Sequence, residues 1–385
     1  MRVSLIRSRG AITASAYLSM FFLGIVIAVV GVAARNIGLT PSQIGFLISI
    51  QNAGFVIGVL FAGTLSDTSP KSLILFSASV LLSAAFLTFY ATDIFSVNTI
   101  IMFAMGCGIG VYEGTSDALL LEIHSKHESL HINVNHSFVN LGSLAVTVYL
   151  IFLQMSWRRS MVQASVAVGA LAIVFALMKR IKPDTDSSRL FDRLKTFALQ
   201  PSFLLLFVLL VVATGAQMSG IGLMTTYLMH IHDYDQVASK IIAVLFLSGI
   251  GVGRIIVGFI TRSGGIYRVL FVLYGSTAIF SFLFFRVGAG AGIYLLAILM
   301  GLTVSGLMPL ILAAVGLIYR DVAGIALGVA KFAIPLGGII VPLIFTAASA
   351  IMPLKGAVLT MPLLFFLGFA LTAFSRRYLL SEHTR

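Results

Sequence analysis

Between residues 110 and 122 the chain reads GVYEGTSDALLLE, setting Glu113 and Asp117 one helical turn apart in a run that is otherwise mostly apolar. A carboxylate in such a run can trade a proton with a nearby base or pair with a buried cation, and a charge inside a membrane span marks a functional pathway by default. Gly106, Gly110, Glu113 and Asp117 follow one another at spacings of 4, 3 and 4, so they share a helix face. A second stripe, Asn133, His136, Asn140 and Ser143, runs at spacings of 3, 4 and 3. If the two stretches are antiparallel helices meeting at residues 122–129, Glu113 and His136 both lie roughly 10 Å from that turn, at ~1.5 Å per residue. A contact between them is then easy. Glu113, Asp117 and His136 are the candidates for proton coupling.

The elements that must position these groups are membrane helices. Of the 385 residues 59% are hydrophobic and only 10% charged, with a mean hydropathy of +1.07, against roughly 25% charged in a soluble domain. Apolar runs broken at polar or Gly/Pro-rich turns predict twelve spans, near 11–34, 43–65, 72–91, 97–121, 130–153, 159–180, 201–229, 239–261, 267–286, 292–318, 324–350 and 355–375. Each is long enough for a hydrocarbon core of ~30 Å. The fold class expected is an all-α polytopic membrane protein. Cys107 is the one cysteine, so neither a disulfide framework nor a Cys-based metal cage is available. MRVSLIRSRG precedes a run too long for a signal-peptide core, so it reads as the entry to a first span and not as a removed leader.

The net charge of +12 is a topology signal and does not point to nucleic acid. Seventeen Lys and Arg fall on the side of the N-terminus, including Lys71 and six within 179–195, against six on the other side, where Lys240 and Lys355 are counted. Both termini are therefore expected in the cytoplasm, in the plasma or inner membrane of the cell.

One long polar segment, residues 179–200, divides the chain into an N-terminal six-helix bundle, 1–178, and a C-terminal one, 201–385. Its RLFDRLKTF stretch suits either a basic amphipathic helix on the cytoplasmic leaflet or a solvated linker. An internal repeat supports the division. At an offset of 195, Gly54, Gly58 and Gly63 fall on Gly249, Gly253 and Gly258, Met105-Gly106 on Met300-Gly301, and Leu141-Gly142 on Leu336-Gly337. Parallel repeats of this kind are a transporter design, with substrate bound between the halves near the midplane. The same offset carries His136 onto Lys331, and Glu113 and Asp117 onto Met308 and Leu312, so the acids belong to one half. Arg254 falls on Val59 and reads as structural.

The turn after the second span, GTLSDTSPKSLIL, resembles the signature of the major facilitator superfamily through Gly63, Leu65, Asp67 and Lys71, with Pro70 in place of the second glycine and Ser72 in place of the second base. GFITRSGGIYRVL is a degenerate copy in the other half, with Arg262 at the place of Asp67. The resemblance covers essentially the whole chain and implies two pseudo-symmetric six-helix bundles. It also implies that Asp67 holds a cytoplasmic gate against the start of the eleventh span near Gly324. SQIGFLISIQNAGFVIGVLFAG, YEGTSDA and NHSFVNLGSL are further similar to stretches of the fucose-permease-like sugar:proton symporters, in which the fourth helix carries a functional Glu that Glu113 matches and, four residues on, an Asn where this chain has Asp117.

Asn140 and Lys331, with Gln51, Asn52 and Gln217, are candidate solute contacts, although neutral amides serve equally as glue between helices. Two histidine-rich segments, HSKHESLH and MHIHDYD, lack any zincin pattern or closed ligand spacing and are expected to be solvated loops. The function expected is secondary transport by alternating access, with proton-coupled symport of a small polar solute such as a sugar. An efflux carrier for organic anions or drugs, with Lys331 as counter-charge, is the alternative, and a non-transporting sensor or scaffold comes next. No phosphate-cradling Gly-x-x-x-x-Gly-Lys-(Ser/Thr) loop supports an ATP-driven pump, and no nucleophile triad supports an enzyme. The expectation is no cofactor and no metal, a small-molecule substrate with protons and a lipid bilayer as partners, and a monomer.

Overall fold

The structure, a computed structural model, describes residues 8–66, 69–124, 128–152, 156–178, 199–260, 265–286, 290–319 and 323–374. Asp67, Arg262 and most of the 179–200 segment, RLFDRLKTF included, lie outside these residues. Among the described residues fifteen helices follow one another: α1 Arg9–Ile37, α2 Pro41–Ser66, α3 Lys71–Thr88, α4 Phe95–Ile123, α5 Glu128–Phe152, α6 Trp157–Leu177, α7 Pro201–Ile231, α8 Gln236–Ile260, α9 Ile266–Arg286, α10 Gly292–Val304, α11 Leu307–Ile318, α12 Ala323–Lys331, α13 Ala333–Ile351, α14 Leu354–Ala357 and α15 Thr360–Phe374. Twelve stretches among them are long and apolar enough to cross a membrane. The chain divides into two compact units, Met1–Leu39 with Ile50–Ser187, and Thr40–Ser49 with Ser188–Arg385.

Local chemistry sets the helix ends. At the end of α1, Gly38 takes φ +83°, and the N–H groups of Gly38 and Leu39 both return to the Ala34 carbonyl at 3.0 and 2.9 Å. That is a left-handed stop that glycine adopts without a steric penalty. Two residues on, Thr40 and Gln43 form a reciprocal capping box: the Gln43 N–H donates to Thr40 Oγ1 at 3.3 Å and the Thr40 N–H to Gln43 Oε1 at 2.9 Å. Pro41 occupies the first helical position, where its missing N–H costs nothing. Asp235 starts α8 by accepting the N–H groups of Val237 and Ala238 at 2.8 Å each.

Each unit is held by helices whose backbones touch through glycine, and the contacts repeat. In the first unit a Cβ on Gly106 would strike the Gln51 carbonyl, one on Gly54 the Phe103 carbonyl, and one on Gly58 the Cys107 carbonyl. In the second, Gly301 meets the Phe246 carbonyl, Gly249 that of Ile298, and Gly253 that of Leu302. All six pairings are related by the 195-residue offset, so α2 on α4 and α8 on α10 are one packing solution used twice. Such close approach is how helices gain van der Waals contact in lipid, where there is no hydrophobic drive to associate. The pseudo-symmetry extends to α1 on α5 and α7 on α13. Gly142 there meets Phe21 and Gly24, and Gly337 meets Val211 and Gly215.

The second unit departs from the first through proline. The predicted spans 292–318, 324–350 and 355–375 are each broken, between α10 and α11, α12 and α13, and α14 and α15. Pro309, Pro335 and Pro362 lie four residues past Ser305, Lys331 and Val358, whose carbonyls lose the helical donor. Tightened i→i−3 bonds bridge the second and third breaks: Phe332 N–H to Val329 O at 3.1 Å, and Leu359 N–H to Gly356 O at 3.0 Å with Met361 N–H to Val358 O at 3.2 Å. Large apolar side chains such as Phe61, Phe103, Phe259 and Phe366 remain exposed, as they do where lipid is the solvent.

Candidate functional site

α4 and α5 run antiparallel in the first unit and bring the two acids and the histidine together. His136 Nε2 stands 3.1 Å from Asp117 Oδ2, and Nδ1 stands 3.8 Å from Glu113 Oε1. The imidazole therefore bridges the carboxylates, one ring nitrogen to each. The contacts are unequal, because only the first has hydrogen-bond length. Asp117 has a further partner: Asn135 Nδ2 donates to its Oδ1 at 2.9 Å and also to Ser116 Oγ at 3.0 Å. Glu113 touches only His136 by polar contact among the described residues. The side chains of His136, Glu113 and Asp117 keep 21%, 13% and 12% of their exposure, shielded but reachable.

This arrangement has the chemistry to hold a proton. A neutral imidazole donates from one nitrogen and accepts at the other, while the protonated ring donates from both. With the ring neutral and both acids ionised, one carboxylate oxygen faces a nitrogen lone pair. A proton on the ring or on one acid removes that repulsion. The same three side chains also offer donor atoms that all lie within 4.8 Å of one another, a spacing a metal ion could use. The sequence directs the search for metal ligands to the histidine-rich segments, yet the compact set is here.

Those segments are not simply solvated loops. His131 lies inside α5, stacks on His124 with ring centroids 3.6 Å apart, and shares a 2.7 Å hydrogen bond with Tyr17 of α1. His124 Nε2 lies 2.7 Å from Thr13 Oγ1, and burial, His131 and Arg9 hold its pKa below the ordinary histidine value. His232 rests on Tyr227, at 3.0 Å from its hydroxyl, and is also lowered, chiefly by burial. Lys240, counted above with the exposed charges, is fully buried in the first turns of α8.

The other candidates are dispersed. Asn140 is half-buried one turn beyond His136 on α5, and Gln51 and Asn52 are buried on α2. Gln217 of α7 lines a small void in the second unit with Phe246, Ser281 and Phe365. Lys331 is the last residue of α12, at the break that Pro335 causes. Of the gate motif, Gly63 lies in α2, Leu65 is exposed there, and Lys71 opens α3 with an ion pair to Glu122 of α4 at 2.7 Å. Asp67 falls outside the described residues. Ser143, the last member of the α5 stripe, donates to the Gly24 carbonyl of α1 at 2.8 Å and is helix glue.

Sequence reasoning misses Asn135, Ser116 and Glu122. Two adjacent polar pairs, Ser116-Asp117 and Asn135-His136, are the signal for the first two, since a polar neighbour buried beside a candidate residue must itself be satisfied.

The family model of the major facilitator superfamily matches residues 11–342. The chain belongs to this superfamily. It is accordingly an integral membrane transporter and not an enzyme. No curated protein matches the sequence. Among solved structures, a bacterial homologue of the human lysosomal transporter Spinster, in an inward-facing and unoccupied conformation, aligns with a TM-score of 0.79 at 12% identity over 98% of this chain and 99% of its own. The nucleoside transporter NupG aligns at 0.77 and 11% over 94% and 98%. A D-xylose-proton symporter aligns at 0.75 and 16% over 95% and 97%. At such identities these likenesses speak for the fold of the superfamily alone.

Proposed function

We propose that this major facilitator is a proton-coupled symporter of a small polar solute, such as a sugar, working by alternating access with Glu113 as the carrier of the coupled proton. The observation that carries the reading is the bridged trio. His136 joins two carboxylates in a shielded place, Asp117 is braced by Asn135, and Glu113, held only by a 3.8 Å contact, is the member free to exchange. Asn140, Lys331, Gln51, Asn52 and Gln217 are the solute contacts in this reading. Gly63, Leu65, Asp67 and Lys71 form the cytoplasmic gate, and the Lys71–Glu122 pair, which ties the start of α3 to the end of α4, supports that role. The halves are 1–178 and 201–385, joined by 179–200, in a monomer of the cell membrane with both termini cytoplasmic.

Glu113→Gln keeps the shape of the protonated acid and removes the exchangeable proton. In proteoliposomes it should abolish accumulation driven by a pH gradient and leave solute exchange across the membrane. Full gradient dependence in the variant would move the coupling site elsewhere and leave Glu113 a structural partner.

A further inference from the structure

Arg254 lies deep in α8, and the mechanism above does not use it. The membrane spans of the second unit hold Lys240, Arg254, Arg268, Arg286, Lys331 and Lys355 and not one Asp or Glu. The acids of that stretch are Asp233 and Asp235, in the turn before α8, and Asp321, which is outside the spans and outside the described residues. Arg254 Nε is sealed from solvent without a hydrogen-bond partner. Among the described residues the guanidinium enters no ion pair.

The position also has room. Gly251 and Gly258 lie three residues before and four after Arg254, on its own face, and a Cβ at either would meet nothing within 4 Å. The packed face of α8, where Gly249 and Gly253 meet α10, is to one side, and exposed Val252, Ile255 and Phe259 are to the other. The sequence-based expectation that Arg254 is structural is set aside: Val59 fills the equivalent place in the first unit, so the pseudo-symmetric architecture does not require a charge there. An arginine inside a span is costly and is kept where it meets water or a counter-ion. Its planar fork matches carboxylate and phosphate with two parallel hydrogen bonds.

We propose that Arg254 docks an oxyanion, a carboxylate or a phosphate, carried by the transported solute. The inference rests on the small-solute symport reading and narrows its substrate class. A monoanion that crosses with one proton moves no net charge, so the membrane potential does not oppose it.

The test reads binding without any gradient, so that it fails or succeeds separately from proton coupling. The purified full-length protein is melted in the presence of gluconate, glucose 6-phosphate, inorganic phosphate or glucose. At least one anionic probe should raise the melting temperature dose-dependently while glucose does not, and gluconate against the two phosphates tells which oxyanion is held. Arg254→Gln should raise the half-saturating concentration tenfold or more. Arg254→Lys, which keeps the charge and loses the fork, should raise it several-fold and serves if the glutamine variant does not fold. Because the melt needs no gradient, loss of coupling in Glu113→Gln leaves the inference standing. Equal responses to glucose and to every anion, or an unchanged response in both Arg254 variants, would overturn it.

Discussion

Asn135 and His136 are neighbours in the chain and serve Asp117 from two directions, the amide at Oδ1 and the imidazole at Oδ2. That makes Asp117 the fixed point of the trio and, in the proposed mechanism, leaves Glu113 the exchangeable one. Asn135→Ala would remove the donor to Asp117 Oδ1 in a buried place, at a cost of about 1–3 kcal/mol. The variant should therefore melt at a lower temperature and show an altered pH profile of transport. Asp117→Asn, which keeps an acceptor for the amide, should impair gradient-driven uptake less than Glu113→Gln does. An unchanged melting temperature and pH profile for Asn135→Ala would reduce the Asn135 bonds to bystanders. The Glu113–His136 approach was legible in the sequence, since it needs only the helical period and the short turn between α4 and α5. The bracing by Asn135 was not, because the stripe at 3.6-residue spacing assigns one face to α5, whereas the contact depends on how the two helices cross.

Helices of this protein are fitted together by where they lack side chains. Gly106 and Gly301 press on the Gln51 and Phe246 carbonyls, the same contact in each unit, while a Cβ at Gly328 of α12 would meet nothing within 4 Å. Gly106→Leu and Gly301→Leu should each force α2 from α4 or α8 from α10 and destabilise by about 1–3 kcal/mol or more. Gly328→Ala should be neutral or stabilise by up to ~1 kcal/mol, the difference in helix propensity. Melting temperatures of the three variants check the contrast, and equal shifts would mean that the contacts hold no helices together. The ungapped 195-residue repeat makes the glycine contacts of α2–α5 and α8–α13 readable in advance. It does not reach α1 and α7, where the equivalent backbones, Phe21 and Gly24 against Val211 and Gly215, stand 190 and 191 residues apart. The breaks before Pro309, Pro335 and Pro362 were likewise present in the sequence, hidden by apolar runs that read as continuous spans.

At the scale of the whole molecule, the placement of charge and the number of spans make one joint statement. The turn holding Ser69 and the turn before α8 are separated by five membrane-spanning stretches, an odd number, so they must emerge on opposite faces if all five cross. The positive-inside rule then decides which face is which, because Lys and Arg set the orientation through short loops. By that rule, Lys71 beside Ser69 and the basic 179–195 segment are the grounds on which the Ser69 side is proposed as cytoplasmic. Single cysteines at Ser69 and at Val237, an exposed position that leaves the Asp235 cap intact, can be read separately in a Cys107→Ala background. An impermeant thiol reagent added to intact cells should label Val237→Cys and spare Ser69→Cys, and inside-out vesicles should give the reverse. Labelling of both from one side would break the count of twelve, since an even number of crossings would have to lie between them. Exchange of the two patterns would keep the count and overturn the orientation, placing the Lys71–Glu122 pair and the proposed gate on the outer face.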